Sequence, residues 1–279
     1  MTFDQVTYSF TGNINDSIVV QRSSILIDGS VYTLQGVGTN DGLYTGFNTN
    51  HVTIKNTHIN GFHEGIYAAS TSNNVWGNNL TNNGVGIYLD LSSNSNVVYG
   101  NSISNSDVAI YGIIESHNNT FHGNSVKNSD NGILLDSSMN NKVYGNNIEN
   151  TSVGIELATY SSNNTVYGNS VTNNREGIYL DYSSNNSIYG NSIAGTTFGG
   201  IEFLRSSNNT IYENNLANNN YGVTLDSFSD DNTFYHNNFI NNTNQVLAQS
   251  LGVWQNDYPS GGNYWSDYAG TDQFRGVFQ

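Results

Sequence analysis

The chain has 279 residues, with 7 lysine and arginine residues against 22 aspartate and glutamate residues, which gives a formal net charge of −15. This balance argues against binding a nucleic-acid backbone, because phosphate contacts need clustered basic side chains. The absence of cysteine excludes disulfide scaffolds, zinc–thiolate sites and thiol nucleophiles, and no run of 18 apolar residues is present to span a membrane.

The chain starts with a segment that we predict to be an N-terminal cap, residues 1–24. Its apolar side chains include Phe3, Val6, Tyr8 and Phe10. A solenoid exposes unpaired strand edges at its ends, and these edges need to be covered. We expect the regular pattern to begin after this segment, at Ile25.

We predict that residues 25–249 form one repetitive domain. From Trp76 to Asn237 it carries eight copies of a motif in which an aromatic ring, usually a glycine, and then an asparagine recur every 22 or 23 residues, and its start is less regular. Each copy holds three short stretches with alternating apolar residues, separated by turns rich in Asn, Gly and Ser. Alternation over such short stretches is typical of β-strands. The sequence therefore predicts an all-β, single-domain parallel β-helix, a solenoid of about ten coils with three short strands in each and capped ends.

The asparagine of the motif is present in all eight copies, and we predict that it is structural. An asparagine repeated in every coil can hydrogen-bond to the copies above and below it, and asparagine tolerates left-handed turn backbone. A second asparagine column, from Asn82 to Asn241, follows the same period. The predicted ladder consists of Asn78, Asn101, Asn124, Asn146, Asn169, Asn191, Asn214 and Asn237.

The last segment, residues 250–279, is rich in aromatic residues and is predicted to be the C-terminal cap. Its large side chains are Trp254, Tyr264, Trp265, Tyr268 and Phe274. Capping is the simpler interpretation of these rings, and a sugar subsite is the alternative.

The repeat resembles the right-handed parallel β-helix repeats of carbohydrate-binding proteins and sugar hydrolases. It is most similar to their NosD-like branch, which is common in archaeal surface proteins. Besides the repeat, the resemblance rests on Ile25-Leu26-Ile27-Asp28-Gly29, on Tyr32-Thr33-Leu34-Gln35-Gly36, and on the segment from Tyr258 to Tyr268 that contains Gly261-Gly262-Asn263-Tyr264-Trp265. It implies a right-handed coil and an extracellular or cell-surface location. A further acidic segment usually follows in this branch, so we expect the C-terminal cap to be truncated.

One outward column of the repeat carries the aromatic rings. It consists of Trp76, Tyr99, Tyr144, Tyr167, Tyr189, Tyr212 and Tyr235, with His122 in the remaining coil. Sugar rings pack their C–H faces on aromatic faces, so this strip is a candidate glycan-binding surface. The alternative is that the stacked rings only stabilise a parallel sheet.

Another outward set is acidic and alternates along the rod. Asp90, Asp136, Asp181 and Asp226 occupy every second coil, and Glu156 and Glu202 occupy the adjacent column in two coils between them. Acids aligned one coil apart would lie about 5 Å from each other and repel, so alternation fits a solvated face. The alternative is a catalytic or cation-binding face.

For catalysis, this face offers Glu156, Asp181 and Glu202, with Arg175 and Arg205 close by. Paired carboxylates hydrolyse glycosides, and a carboxylate-bound Ca²⁺ with a basic residue supports β-elimination on a uronate. For a metal ion, the candidate ligands are Asp136, Glu156, Asp181, Glu202 and Asp226. We expect no cofactor for this protein, with Ca²⁺ as the one exception, because the acidic face offers carboxylate ligands for it.

The NosD name raises the question of copper, which needs clustered histidine or methionine ligands. The chain has two methionines and no cysteine, and its histidines are His51, His58, His63, His117, His122 and His236. They form no dense cluster in the sequence, so we do not expect a specific copper site.

We therefore predict a non-catalytic extracellular or cell-envelope module, a structural rod that binds glycans or other surface proteins on an outward face. The even coil length favours this interpretation, since an enzyme is expected to interrupt the repeat with an inserted loop and a cleft. The alternative is a polysaccharide lyase or glycoside hydrolase that uses the acidic face. Self-association through an exposed edge or face is also open.

Overall fold

The computed structural model describes residues 6–256, 261–267 and 269 of the chain. Short parallel strands wind into a right-handed β-helix of about 11 coils, which confirms the predicted fold class. The coil number exceeds the predicted ten because strands already form before residue 25. Within the described residues there is no helix that is long and apolar enough to cross a membrane.

Each coil contributes one strand to each of three parallel sheets, and a two-stranded antiparallel pair, Gln255–Asn256 with Gly261–Gly262, lies near the C-terminal end. The first sheet consists of Val6–Ser9, Ile25–Asp28, Thr53–Lys55, Asn74–Trp76, Val97–Tyr99, Thr120–His122, Lys142–Tyr144, Thr165–Tyr167, Ser187–Tyr189, Thr210–Tyr212, Asn232–Tyr235 and Gly252–Val253. The second sheet consists of Thr33–Gln35, His58–Asn60, Asn79–Thr81, Ser102–Ser104, Ser125–Lys127, Asn147–Glu149, Ser170–Thr172, Ser192–Ala194, Asn215–Ala217, Asn238–Ile240 and Tyr264–Trp265. The third sheet consists of Ile18–Val20, Leu43–Thr45, Glu64–Ala68, Val85–Leu89, Val108–Ile113, Asn131–Asp136, Val153–Ala158, Glu176–Asp181, Gly199–Leu204, Tyr221–Leu225 and Asn244–Ala248.

The strand register follows the sequence repeat, so equivalent residues of successive coils lie side by side. Val98 pairs with Val75 on one side and with Phe121 on the other, for example. All three of these side chains are fully buried, as are the equivalent residues of the other two sheets. A narrow core therefore runs along the rod, filled by columns of similar apolar side chains from the three sheets.

The predicted asparagine ladder is present and buried. At Asn169, the side-chain amide donates to Asn191 Oδ1 at 2.9 Å and to the carbonyl of Val143 at 3.0 Å. Its own Oδ1 accepts from the backbone amide and the side-chain amide of Asn146, at 3.0 and 2.9 Å. The ladder extends one coil further than the sequence motif indicates, because Asn237 donates to Asn263 Oδ1 at 2.9 Å.

Left-handed backbone lies on the residue before each ladder asparagine. Gly168 has a φ of 62° there, and Glu213 and His236 adopt a φ of 55° at the same position in later coils. The second asparagine column is itself left-handed, with a φ of 54° at Asn82 and 56° at Asn173. The tolerance of asparagine for this conformation is therefore used in the second column, whereas the ladder itself uses hydrogen bonding.

A second buried ladder, which the sequence analysis missed, precedes the first-sheet strands. In it the backbone amide of each asparagine donates to the side-chain oxygen of the next, as from Asn141 to Asn164 at 2.8 Å. Its members are Asn73, Asn96, Asn119, Asn141, Asn164, Asn186, Asn209 and Asn232. The same step of 22 or 23 residues makes it visible in the sequence.

Both ends of the rod continue the strand pattern. Val6–Ser9 pairs with Ile25–Asp28, and Trp254 and Trp265 stack on Phe234 and Phe239 with ring centroids 4.3 Å apart in both cases. The division into caps at residues 1–24 and 250–279 stays a prediction, and strands lie on both sides of each boundary. Phe3, Tyr258, Tyr268 and Phe274 lie outside the described residues.

Candidate functional site

The aromatic strip of the first sheet stacks ring on ring from Trp76 to Tyr235. Neighbouring centroids are 4.7–5.8 Å apart and neighbouring planes differ by only 3–18°. Lys55 Nζ lies 5.3 Å from the centre of the Trp76 ring, at the N-terminal end of the strip. Between the two ends of the strip, each ring face therefore contacts another ring, and the strip presents ring edges and hydroxyls to the solvent.

The third sheet carries a different outward surface, which we call the third-sheet face. Its central column consists of Tyr44, Tyr67, Tyr88, Tyr111, Leu134, Glu156, Tyr179, Glu202 and Thr224. The four successive tyrosines at its N-terminal half are tilted against one another by 26–50°. Tilted rings leave part of each face open, unlike the parallel rings of the first sheet.

Asp90 binds the hydroxyl groups of two of these tyrosines. Tyr67 donates to Asp90 Oδ2, and Tyr88 donates to Asp90 Oδ1 at 3.5 Å. Burial, followed by the charge of Asp90, raises the pKa of Tyr88 to about 12. Both tyrosines therefore remain neutral hydrogen-bonding groups at physiological pH.

At the C-terminal half of the face, the three predicted acids Glu156, Asp181 and Glu202 come together around Tyr179. Tyr179 pairs directly with Glu156 on one side and with Glu202 on the other. Burial raises the pKa of the Tyr179 hydroxyl well above its ordinary value, and the charges of Asp181, Glu202, Glu176 and Glu156 raise it further. The sequence register thus located this acidic group correctly, while its function stays a prediction.

The electrostatic environment of the three acids differs in detail. Burial raises the pKa of Glu156 despite a hydrogen bond from the side-chain amide of Asn131. Burial also raises the pKa of Asp181, against the opposing charge of Arg205. Asp181 Oδ1 and Glu202 Oε2 are buried and have no hydrogen-bond partner within the protein. Two carboxylate oxygens of this group are therefore buried without a hydrogen bond from the protein.

The two predicted arginines lie on the flanks of the acidic group. Arg175 forms an ion pair with Glu176 at 2.7 Å. The Arg205 guanidinium lies over the rings of Tyr182 and Phe228, 5.0 and 5.5 Å from their centres. Neither arginine forms an ion pair with Glu156, Asp181 or Glu202, so the group keeps an excess of negative charge.

The other predicted metal ligands are spread along the neighbouring column. Asp136 pairs with Ala158 of the next coil, and Asp181 pairs with Leu204, so apolar residues separate these acids. Asp226 accepts hydrogen bonds from the backbone amide of Arg205 at 3.0 Å and from the hydroxyl of Ser229 at 2.6 Å. The structure therefore holds Asp226 in a turn, away from a group of other carboxylates.

Two sites on the same face were missed in the sequence analysis. One is Glu176, which is only 6% exposed. The other is a group formed by Asp41, His63 and Glu64, whose potential ligand atoms all lie within 4.8 Å of one another. Burial and Glu64 raise the pKa of Asp41 to about 7, and Glu64 raises the pKa of His63. Their signal in the sequence is a pair of ionisable residues at the start of the third strand, His63-Glu64 or Arg175-Glu176, where the equivalent pairs of the other coils have at most one.

Two cavities lie at the ends of the rod rather than on the third-sheet face. One of about 340 Å³ is lined by Tyr8, Phe10 and Val20 among others, and one of about 570 Å³ is lined by Val246, Trp254 and Trp265. The acidic group around Tyr179 lines neither of these two cavities.

Comparison with known proteins supports both the fold and a family. The model of a family described as periplasmic copper-binding protein (NosD) matches residues 5–176 and 112–270. Among curated protein sequences, none matches this chain.

Several solved structures share the architecture at low sequence identity. The A-module of mannuronan C-5 epimerase AlgE6 from Azotobacter vinelandii is 13% identical, with a TM-score of 0.65 and 88% of each chain covered. A periplasmic alginate epimerase, AlgG, is 16% identical, with a TM-score of 0.60 over 89% of this chain and 75% of that one. The tailspike protein of E. coli bacteriophage HK620, solved with a pentasaccharide, is 11% identical, with a TM-score of 0.60 over 89% of this chain and 60% of that one. At these identities the likeness concerns the fold.

Proposed function

This chain belongs to the NosD family, and on that premise we propose that it is a cell-envelope β-helix rod that binds glycans along its third-sheet face. The observation that supports this best is the group of carboxyls around Tyr179, where Asp181 Oδ1 and Glu202 Oε2 are buried without a partner. Sugar hydroxyls donate hydrogen bonds to carboxylates, while the tilted tyrosines of the same face offer partly open ring faces. Several proteins of the same fold act on or are bound to polysaccharides, by their own descriptions.

The charge of the molecule narrows the class of glycan. With a net charge of −15 and an acidic contact face, the rod repels polyuronates and other polyanions. We therefore propose neutral or amino-sugar glycans as ligands.

We predict that Tyr179→Ala weakens binding of a neutral oligosaccharide about tenfold, because one aromatic contact is lost from the centre of the face. The matched control is Tyr167→Ala, which removes the same side chain from the first-sheet strip. A glycan array identifies the ligand, and titration calorimetry on each variant measures the dissociation constant. If Tyr167→Ala weakens binding and Tyr179→Ala does not, the contact surface is the aromatic strip proposed from the sequence, which consists of Trp76, Tyr99, Tyr144, Tyr167, Tyr189, Tyr212 and Tyr235.

Catalysis on the acidic face is the second candidate function, and the pKa of Glu202 favours it. Burial raises that pKa to about 7, with a further contribution from Glu176, and a carboxyl that is protonated near neutral pH is suited to act as a general acid. In this alternative Glu156, Asp181 and Glu202 are the reacting carboxyls, with Arg175 and Arg205 at the sides. The even coil length favours binding without catalysis.

The two functions are separated by incubating the protein with polysaccharides and measuring new reducing ends and unsaturated products. We expect no release above background from the unmodified protein. Release that Glu156→Gln abolishes would establish a hydrolase or lyase in place of the binding module.

Copper is implied by the family description, but the described residues do not fit a copper site. Their one group of three potential ligands, Asp41, His63 and Glu64, supplies a single imidazole and two carboxylates. Copper sites are typically built from several imidazoles or from sulfur ligands, which this group lacks. We therefore propose no role for copper in this chain.

An extracellular or envelope location is part of the proposal, since the matched family is described as periplasmic. We also propose that the chain belongs to the archaeal surface-protein branch of the family, because of the aromatic segment Gly261–Trp265. The sequences and source organisms of close relatives test this assignment. We propose that the strand Val6–Ser9 is the place where the protein binds other surface proteins or a second copy of itself. Its four residues are all exposed, and it forms an edge of the first sheet.

A further inference from the structure

On the third-sheet face, the positions of the hydrogen-bonded pair Asn131 and Glu156 recur two coils later, but there the donor is replaced by a carboxylate. Asn131 donates its side-chain amide to Glu156. The strand register places Glu176 two coils beyond Asn131, and Glu202 two coils beyond Glu156. Glu176 therefore occupies the position at which the earlier pair has its amide donor, so the later pair, Glu176 and Glu202, consists of two hydrogen-bond acceptors.

The missing donor coincides with a position that has no side chain, Gly199, which is the next residue after Glu176 in its column. A Cβ placed on Gly199 would lie 3.6 Å from Glu202 Oε2 and 3.7 Å from Thr224 Oγ1. Both of these oxygens are buried without a hydrogen-bond partner, and Thr224 is only 7% exposed. We call the space bounded by Glu176, Gly199, Glu202 and Thr224 the Gly199 notch.

Negative charge in the notch is poorly compensated. Glu176 is buried, and its ion-pair partner Arg175 has a side chain that is 62% exposed. Burial and the charge of Glu176 both act against ionisation of Glu202, with Arg175 opposing them weakly, so the pKa of Glu202 rises to about 7. A positive ion between the two carboxylates would replace this repulsion with attraction.

We propose that the Gly199 notch binds a hard divalent cation of the Ca²⁺ type through the carboxylates of Glu176 and Glu202 and the hydroxyl of Thr224. All three donors are oxygens, and Ca²⁺ accepts irregular sets of carboxylate, hydroxyl and water oxygens. Glu202 also belongs to the acidic group proposed to bind glycans, so the cation site is tested with the ion alone and its outcome is separate from that of the glycan experiments.

The test uses the full chain at pH 8 with Ca²⁺ in calorimetry and thermal unfolding, and with Tb³⁺ as a luminescent probe. Tyr179 and Tyr221 lie on strands next to the notch and are suited to sensitise bound Tb³⁺. We expect a dissociation constant for Ca²⁺ on the order of 10⁻⁴–10⁻³ M. At 10 mM Ca²⁺ this affinity raises the unfolding temperature by about 3 °C or more.

Two variants locate the site. Glu202→Gln removes one charged ligand and is expected to weaken binding at least tenfold. Glu176→Asn recreates the Asn131–Glu156 arrangement, with an amide donor facing Glu202, and is expected to abolish binding while the protein stays folded. The control is Glu64→Gln, which alters the group formed with Asp41 and His63 and should leave this binding unchanged.

The pH provides a further check, because a proton and the cation compete for Glu202. The charged and titratable groups that face Glu202 are Glu176, Arg175 and Tyr179. We expect Ca²⁺ binding to weaken progressively as the pH falls below about 7. The proposal is overturned if the unmodified protein shows neither Ca²⁺-dependent stabilisation nor Tb³⁺ luminescence at pH 8, in which case the two carboxyls share a proton. It is also overturned if Glu202→Gln and Glu176→Asn bind the ion as the unmodified protein does.

Discussion

Replacing Asn169 with alanine is expected to lower the free energy of unfolding by about 3–4 kcal/mol, the largest effect of a single polar substitution in this chain. The asparagine accepts two hydrogen bonds from Asn146 and donates to Asn191 and Val143, all at 2.9–3.0 Å. Alanine would remove the acceptor of two buried amide groups of Asn146 and the donor to Val143, while Asn191 Oδ1 would keep its bond from the backbone amide of residue 169. The cost arises mainly from buried polar groups that lose a hydrogen bond without regaining solvation. Urea unfolding followed by circular dichroism measures the change.

The matched control is Asn147→Ala. Asn147 directly follows the ladder residue Asn146 and is the first residue of the second-sheet strand Asn147–Glu149, where its side chain is exposed. It should alter the free energy of unfolding by no more than about 0.5 kcal/mol. Similar losses in both variants would mean that strand propensity, and not the buried ladder, determines the effect.

Removing the ring of Trp254 is expected to have the second largest effect, about 2–3 kcal/mol on the stability of the C-terminal coils. Trp254 stacks on Phe234 at 4.3 Å and also contacts Phe239 and Trp265. Phe234 and Phe239 are fully buried beneath these rings, so Trp254→Ala would open the end of the core to water.

Hydrogen exchange is the suitable measurement, because coils of a solenoid contact mainly their neighbours and can open from one end. We expect faster exchange in Asn232–Tyr235 and Asn238–Ile240 and little change near the middle of the rod. Tyr264→Ala is the control, since this ring is 57% exposed at the same end. Equal acceleration in every coil would show that the rod opens as one unit and that Trp254 does not act as a local cap.

The sequence predicted most of the fold because one period describes every coil. When Val98 is placed beside Val75, the register of all three strands in that coil follows, and so do the core columns and the ladder at Asn101. The second ladder was equally accessible, but its asparagines often stand next to turn asparagines such as Asn140 and Asn163, which obscured the column.

The candidate site was only partly predictable, because it depends on departures from the repeat. The register placed Glu156, Tyr179 and Glu202 side by side, but it gave no measure of burial, so Glu176 was overlooked. The sequence repeat also does not predict how the aromatic rings are rotated about their side-chain bonds. The parallel rings from Trp76 to Tyr235 and the tilted rings from Tyr44 to Tyr111 have the same spacing along the rod and differ only in orientation.

The difference between coils of 22 and 23 residues has a consequence for how such a rod can change. The interval from the buried third-strand isoleucine to the next buried serine is five residues at Ile133–Ser138 and six at Ile155–Ser161, while the other turns keep their lengths across these coils. The turn after the third strand is therefore one place where the coil tolerates an extra residue. This turn borders the acidic group around Tyr179. A loop inserted there would project beside that group and would leave the strands of the other coils in place.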